Sequence, residues 1–357
     1  MLYEIAEKAA RLENEGKKII KFNIGDPDHP TPREIVEAAC EAMIRGKTKY
    51  SSSAGEKTLR EALASIHGVS EDNVVITAGS KWGIFAAMYL LLRKGGNVIV
   101  PTPYWTAYDL IAKTLGAEVR LVRTELESNW EIDVEKLEAL IDNETRVIVL
   151  NNPHNPTCKV ISEKTAREIV QIAEKHDVTV LSDEVYADIS FVQTKSILDI
   201  SNDNIVVKSF SKTFAMTGWR VGYVIAKKEL IDKIVKLNQI TLTNIPVFIQ
   251  EAALKALELR HQIIQKVREE YLKRAELACK ILSETNLKFS KPEAPFYLFP
   301  KLEGLDSEEF AFKLLERGVA ITPGTAFGDY KEHFRLSLTA PDADIEMGLR
   351  IIAEALK

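Results

Sequence analysis

Apolar and charged positions recur at helical spacing along "MLYEIAEKAARLENEGKK", which predicts a helix over the first eighteen residues, ending near Gly16. "KIIKFNIGDPDHPTP" then reads as a short strand broken into a Gly/Pro-rich loop. Residues 33–46 and 56–68 carry helical patterns. From "NVVIT" (73–77) a rhythm begins, in which short Val/Ile-rich runs alternate with helical ones. The strands are "NVVIT", "NVIVP", "EVRLV", "RVIVLNNP", "VTVLSDE", "NIVVKSFS" and "RVGYVIA". The helices between them are "KWGIFAAMYLLLRKGG", "YWTAYDLIAKTLG", "DVEKLEALI" and "EKTAREIVQIAEKHD". The strands are apolar on both faces, as expected for a mostly parallel sheet covered by helices on both sides.

After residue 240 the rhythm stops. Residues 245–283 read as a long helical stretch of more than one helix. "FYLFPKL", a helix at 307–318, "VAITPG", "FRLSLT" and a final helix at 341–356 follow. The fold class is therefore α/β, a three-layer large domain over residues 37–262 and a smaller α+β domain built from 1–36 and 263–357.

Open sheets of this kind bind ligands at the carboxyl ends of their strands. The residues that follow the predicted strands are Gly79–Ser80, Tyr104–Trp105, "NNPHNPT", Asp183–Glu184–Tyr186 and Ser209 to Lys212. Polar and charged groups thus gather at one end of the sheet. Composition adds mainly exclusions. In 357 residues, 46% apolar and 28% charged, a net charge of −5 points to neither nucleic acid nor an anionic membrane. Three dispersed cysteines give no zinc spacing and no disulfide framework, and with no secretory leader or membrane-length apolar run a reduced cytoplasm is the expectation. The six histidines, His154 and His333 among them, lack metal-ligand spacing. No Rossmann fingerprint, Walker lysine, HExxH or GxSxG occurs, which leaves dehydrogenase, ATPase, zinc hydrolase and serine hydrolase unsupported.

"SFSKTFAMTGWRVGY" (209–223) places Lys212 after a buried run, with Arg220 eight residues on. A lysine in that position is either a packed stem with a solvated head or a partly desolvated amine able to condense with an aldehyde. Arg220 offers a phosphate-binding fork and Ser209 a hydroxyl, while Gly79–Ser80 opens a helix whose free N–H groups favour an anion. An aldehyde that carries a phosphate is pyridoxal 5′-phosphate. Asp183 could keep its ring nitrogen protonated, Asn155 and Tyr186 could bond its ring oxygen, and Trp105 could stack on it.

These segments resemble the class I and II pyridoxal-phosphate-dependent aminotransferases of fold type I, in the aspartate and broad-specificity branch of archaea and bacteria. "NIGDP", "TAGSK", "PTPYW", "NPHNPT", "SDEVY", "SFSKTFAMTGWRVGY", "ITPGTAFG" and "FRLSLT" are similar to that family's motifs and occur in its order. The resemblance implies an enzyme that moves an amino group from an L-amino acid to a 2-oxo acid such as 2-oxoglutarate. It implies that Lys212 holds the cofactor and, once released, moves a proton; that Asp183 pairs with the ring nitrogen; and that Asn155 and Tyr186 bond the ring oxygen. Gly79, Ser80, Ser209 and Arg220 would bind the phosphate, with Lys81 beside them, and Trp105 would stack on the ring. Arg335 would clamp the substrate α-carboxylate near Asn155 and Trp105, and Gly25 would let the backbone close over the substrate. Tyr50 of "KYSSSAG" would reach the phosphate of a neighbouring subunit, which implies a homodimer with shared active sites.

Two positions depart from the pattern. Cys158 stands where the family usually has glycine, so the loop after "NPHNPT" could take another shape. Pro295 in "EAPFY" stiffens a stretch that is often glycine-containing. The substrate stays open between readings. Lys81 either pairs with a distal carboxylate, favouring aspartate-type substrates, or points to water as an ordinary helix lysine. Aromatic or alanine-type transfer, a β-lyase on the same fold and a cofactor-binding regulator are the alternatives; the regulator lacks a basic DNA-binding domain in this sequence.

Overall fold

A computed structural model describes residues 2–357; Met1, part of the expected N-terminal helix, lies outside them. In chain order the main elements are α1 (Leu2–Asn14), β1 (Ile20–Lys21), α2 (Arg33–Ile44), α3 (Lys57–His67), β2 (Val74–Thr77), α4 (Gly79–Leu92), β3 (Asn97–Thr102), α5 (Ala107–Thr114) and β4 (Glu118–Arg123). Next come α6 (Val134–Ala139), β5 (Thr145–Asn151), α7 (Glu163–Lys175), β6 (Thr179–Asp183), β7 (Ile205–Ser209), β8 (Gly222–Ile225), α8 (Lys228–Thr241), α9 (Val247–Glu258) and α10 (Arg260–Leu282). The chain ends with β9 (Tyr297–Leu298), α11 (Ser307–Glu316), β10 (Val319–Ala320), β11 (Thr322–Pro323), β12 (Phe334–Ser337) and α12 (Asp342–Ala355). The stretch 245–283 divides into α9 and α10, and α8 is a helix that the strand rhythm did not reveal.

Seven strands form the main sheet in the order β2-β8-β7-β6-β5-β3-β4, parallel throughout except for β8, which runs antiparallel to both neighbours. Period-2 alternation divides the strand residues between two cores. Ile76, Ile99, Ile148, Val180 and Val206 face α2, α3, α7 and α9. Val75, Val98, Val149, Leu181 and Val207 face α4, α5 and α8. Local chemistry supports the helices. The α7 stripe Ala166, Ile169, Val170 and Ala173 is buried, and Ser162 Oγ caps its start by accepting from Thr165 N at 3.1 Å.

A further core joins Phe22, Ala278, Leu282, Phe310, Leu314, Val319, Phe334, Leu336, Leu349 and Ile352. The N-terminal segment contributes to it directly, because β1 pairs in parallel with β10. From there residues 23–31 run across to the carboxyl ends of the main sheet. Arg274 of α10 fastens this segment, donating to Asp28 Oδ1 at 2.7 Å and Oδ2 at 3.0 Å, to Glu270 at 2.6 Å and to Asp342 at 2.8 Å. Lost hydration pushes the Asp28 carboxyl up, but the bonds and charge of Arg274 outweigh it and leave it below the usual range. Asp28, His29 and Glu270 bring three potential metal ligands within 4.8 Å of one another, yet Arg274 already bonds both carboxylates. At the other end Thr31 Oγ1 donates to Ala215 O at 2.6 Å and accepts from Trp219 Nε1 at 2.9 Å.

Arg274→Ala strips three carboxylates of a buried partner. It is expected to cost about 3 kcal/mol of stability, read as a lower thermal midpoint than Arg274→Lys gives.

Candidate active site

The site grows from the end of β6. Asp183 pairs in register with Asn151 of β5 and Val207 of β7, so its side chain is set in the middle of the sheet's carboxyl edge. It is buried, and its only hydrogen-bond donors among the described residues are Tyr108 Oη, at 2.7 Å from Oδ2, and Val185 N, at 3.4 Å from Oδ1. No salt bridge reaches it among the described residues. Burial pushes its carboxyl up to about 6 against the lowering effect of the Tyr108 bond. Burial and the facing carboxylate together push the Tyr108 phenol well above its ordinary range, so that hydroxyl keeps its proton and donates it.

Lys212 lies in the turn after β7, half-buried, with Nζ donating to Gly25 O at 2.6 Å. Gly25 has no room for a side chain, since a Cβ there would lie 1.8 Å from Tyr297 Oη. At the root of the same turn the buried Ser209 Oγ accepts from Ser211 N at 3.0 Å and bonds Ser211 Oγ at 2.8 Å. Gly79 opens α4 at φ 77°, a left-handed conformation that glycine takes without strain, and a Cβ there would press to 2.6 Å from Arg220 Nη2. Arg220, exposed and itself at φ 54°, donates to two carbonyls, Thr217 O at 2.6 Å and Ala78 O at 3.4 Å. Ser80, half-buried, follows Gly79 in the first turn of α4. The structure thus forms a cradle of helix N-terminus, hydroxyls and guanidinium beside Lys212.

On the opposite side stands Arg335 of β12, buried, with Nη1 donating to Asn155 Oδ1 at 3.0 Å and Nη2 to Asn23 O at 2.9 Å. Its Nε is buried without a partner among the described residues. Tyr297 lies 4.3 Å below the guanidinium and Phe327 4.9 Å from it, and the Tyr297 hydroxyl is 3.1 Å from Tyr186 Oη. Cys158 takes the left-handed conformation itself, at φ 53°, so the loop after "NPHNPT" keeps the turn without glycine. Its buried thiol, pushed up to about 12 by burial, accepts from Tyr297 N at 3.2 Å. In "EAPFY", Glu293 pairs with Lys159 and accepts from Val160 N at 2.8 Å, which ties the segment before Pro295 to the Cys158 loop. His154 bonds Thr157 Oγ1 at 2.8 Å, and burial lowers it to about 4, as it does His333.

Trp105 is half-buried at the end of β3, edge-on to Tyr108, and Lys81 Nζ sits 4.9 Å over its ring. Tyr50 is not part of this cluster; it is 87% exposed and lines a surface groove with Leu242, Asn244 and Phe248. The model of the family described as "Aminotransferase class I and II" matches residues 17–352. The chain belongs to that family.

It is an enzyme that transfers amino groups. The chain is 40% identical to an aspartate aminotransferase of Thermococcus kodakarensis over 344 residues, covering 96% of this chain and 90% of that one. It is 35% identical to a (5-formylfuran-3-yl)methyl phosphate transaminase of Methanocaldococcus jannaschii, covering 99% and 95% of the two chains. Among solved structures, the aspartate aminotransferase from Thermus thermophilus with maleate superposes with a TM-score of 0.96 at 31% identity, over 99% of this chain and 96% of that one. The fold is that of the fold type I aminotransferases.

Some aminotransferase site residues escaped sequence reasoning. Tyr108 is one; its signal was a place one helical turn after Trp105, in the helix that opens at the end of β3. Tyr297 and Phe327 lay inside quoted motifs, but nothing local marked them as neighbours of Arg335. Asn23 acts through its backbone carbonyl, which side-chain identity does not announce.

The folded-state value for Asp183, about 6, lies above the ordinary aspartate value of 3.8. Between those values the folded protein holds a proton that the unfolded chain has released. The stability due to the neutral carboxyl is complete below about pH 4 and is lost as pH rises through about 6. In ligand-free protein, Asp183→Asn is therefore expected to gain about 3 kcal/mol over wild type at pH 8 and little at pH 4. Thermal unfolding across that range checks it, and a pH-independent difference would count against burial as the cause.

Proposed function

We propose that this aminotransferase holds pyridoxal 5′-phosphate between Asp183, Lys212 and the Gly79–Arg220 cradle, and passes amino groups between acidic L-amino acids, aspartate foremost, and 2-oxo acids such as 2-oxoglutarate. One observation carries the reading: Asp183 is a buried carboxylate with no salt-bridge partner among the described residues, in a site that also offers the Lys212 amine and an anion cradle. A protonated ring nitrogen would supply the missing charge. The unpartnered Nε of Arg335 and the aromatic rings around that side chain fit a substrate carboxylate in the same way.

When bound, pyridoxal phosphate supplies an electron sink for negative charge developing at the substrate α-carbon. The chain's own residues do the rest. Asp183, with Tyr108 behind it, keeps the ring nitrogen protonated. Asn155 and Tyr186 donate to the ring oxygen. The first-turn N–H groups at Gly79 and Ser80, with Ser209 and Arg220, neutralise the phosphate, and Trp105 covers the ring face. Arg335 orients the substrate through its α-carboxylate. Lys212 would hold the cofactor through its amine and, once free, would take and return the proton at the substrate α-carbon. Gly25 O, which accepts from Lys212 Nζ at 2.6 Å, offers a place for that nitrogen to rest when free.

The two separate cores support a division into a large unit, 37–262, and a small one formed by 1–36 and 263–357. The exposure of Tyr50 fits a role in completing the phosphate site of a second copy in a homodimer. Lys81 is exposed at the rim, with its charge held over Trp105, where it can meet a distal carboxylate.

Two measurements test this reading. Lys212→Ala should lower the rate of amino transfer by about 10³-fold or more while the fold is retained. Lys81→Ala should raise KM for aspartate and 2-oxoglutarate about tenfold and leave alanine and phenylalanine within about twofold. Equal losses for every donor would remove the acidic-substrate assignment, and pyruvate plus ammonia without a 2-oxo acid would identify a lyase.

A further inference from the structure

Tyr297 touches both halves of the site, the Arg335 guanidinium and the Tyr186 hydroxyl. It starts β9, which pairs with β12 through Ser337↔Tyr297 and Leu336↔Leu298, next to Arg335 on the same strand. Its ring lies 4.3 Å from the Arg335 guanidinium carbon, and its hydroxyl lies 3.1 Å from that of Tyr186. Both tyrosines are buried, and among the described residues neither hydroxyl has another hydrogen-bond partner. Tyr297 has little freedom to leave this place. Its N–H is engaged by the Cys158 thiol at 3.2 Å, and its hydroxyl presses against the backbone of Gly25, where a Cβ would come within 1.8 Å.

Two hydroxyls facing each other share one hydrogen bond, so only one of the two protons lies between them. If Tyr186 gives its proton to the ring oxygen of the cofactor, its own oxygen must accept from Tyr297. That direction is self-reinforcing, because a phenol oxygen that accepts a hydrogen bond makes its own O–H a better donor. The flat face of the same ring meanwhile sets the plane of Arg335 through cation–π contact, with Nε and the second hydrogens of Nη1 and Nη2 left to meet a carboxylate.

We propose that Tyr297 is a positioning residue with two separable tasks: its hydroxyl donates to Tyr186 and so aims the Tyr186 proton at the cofactor's ring oxygen, and its ring holds Arg335 in the orientation that grips a carboxylate. This rests on the pyridoxal-phosphate reading above. Neither task needs Tyr297 to touch the reacting atoms.

Tyr297→Phe removes the first task and keeps the second; Tyr297→Leu removes both. The first readout is the pH midpoint of the visible absorbance band of protein loaded with pyridoxal phosphate. Donation to the ring oxygen favours its ionised form and lowers that midpoint. Y297F should therefore titrate about half a pH unit or more above wild type, Y186F higher still, and the Y186F/Y297F double variant at the Y186F midpoint. The second readout is calorimetric binding of maleate, a dicarboxylate with no amino group to transfer. Y297F should bind it within about twofold of wild type, and Y297L about tenfold more weakly. An unshifted Y297F midpoint, or a double variant shifted by the sum of the two, overturns the hydroxyl task. Unchanged maleate affinity in Y297L overturns the ring task. A wild-type protein that takes up no pyridoxal phosphate and shows no visible band removes the cofactor reading, and the Tyr297 role with it.

Discussion

A carboxylate taken out of water and given no cation is the constraint around which this site is organised. Asp183 is buried at the end of β6 with one phenol and one distant amide for donors. Burying such a group costs free energy that a folded protein recovers only by protonating it or by bringing a positive partner. The sheet forces the burial: the middle strand of a parallel array has neighbours on both edges and helices on both faces, so a residue at its end has no route to solvent except through the site. The other groups then follow from what such a carboxylate can hold. An amine lies on one side of it, an anion cradle at the start of α4, and an arginine fork opposite.

The same alternation that aims Asp183 into the site aims its neighbours away. Glu184 and Lys208 point to the other side of the sheet. Lys208 Nζ bonds Asp188 at 2.8 Å, and Glu184 accepts from Ser182 Oγ, Ser196 Oγ and Ile197 N at 3.0 Å each. Burial pushes the Asp188 carboxyl up and the Lys208 amine down, but their mutual attraction outweighs it, holding Asp188 below and Lys208 above its ordinary value. His67, lowered to about 4 by burial, closes the network through Tyr223 at 2.9 Å. Two polar systems therefore share one stretch of sheet: one contains its own ion pair, and the other has none among the described residues. Removing one partner of a buried pair of the first kind is strongly destabilising. A buried carboxylate of the second kind marks where a ligand belongs.

Much of this was legible in the chain because parallel strands turn local pattern into position. Each Val/Ile run predicted a strand, and the polar residue after it predicted a place on one edge, so Gly79, Trp105, Asn155, Asp183 and Lys212 could be brought together from spacing alone. What stayed hidden depends on tertiary docking. Tyr108 meets Asp183 only because the first turn of α5 brings its hydroxyl to the end of β6, 75 residues away in sequence. Tyr297 meets Arg335 only through the antiparallel β9–β12 pair, whose strands are too short to announce their register. Lys208 reads as part of an apolar run, and its partner Asp188 comes from a loop. The Cys158 departure was visible but its consequence was not: backbone contacts hold the left-handed turn, with Cys158 N donating to His154 O at 2.7 Å, at a cost of about 1 kcal/mol.

The segment 23–31 shows why these distant pieces act as one site. Asn23 O accepts from Arg335 at 2.9 Å, Gly25 O from Lys212 at 2.6 Å, and the Gly25 backbone bears on the Tyr297 hydroxyl. Asp28 ties the same segment to α10 through Arg274, and Thr31 ties it to the 215–219 turn beside the main sheet. The groups proposed to bind the substrate carboxylate, move the proton and aim the ring-oxygen donor therefore share a single short stretch of backbone anchored to both cores. A shift of one core against the other must pass through that stretch and reach Lys212 and Arg335 together. A side chain at Gly25 would push Tyr297 away from Tyr186 and displace the carbonyl that holds Lys212. Its requirement for glycine is thus steric, and it reaches both halves of the site at once.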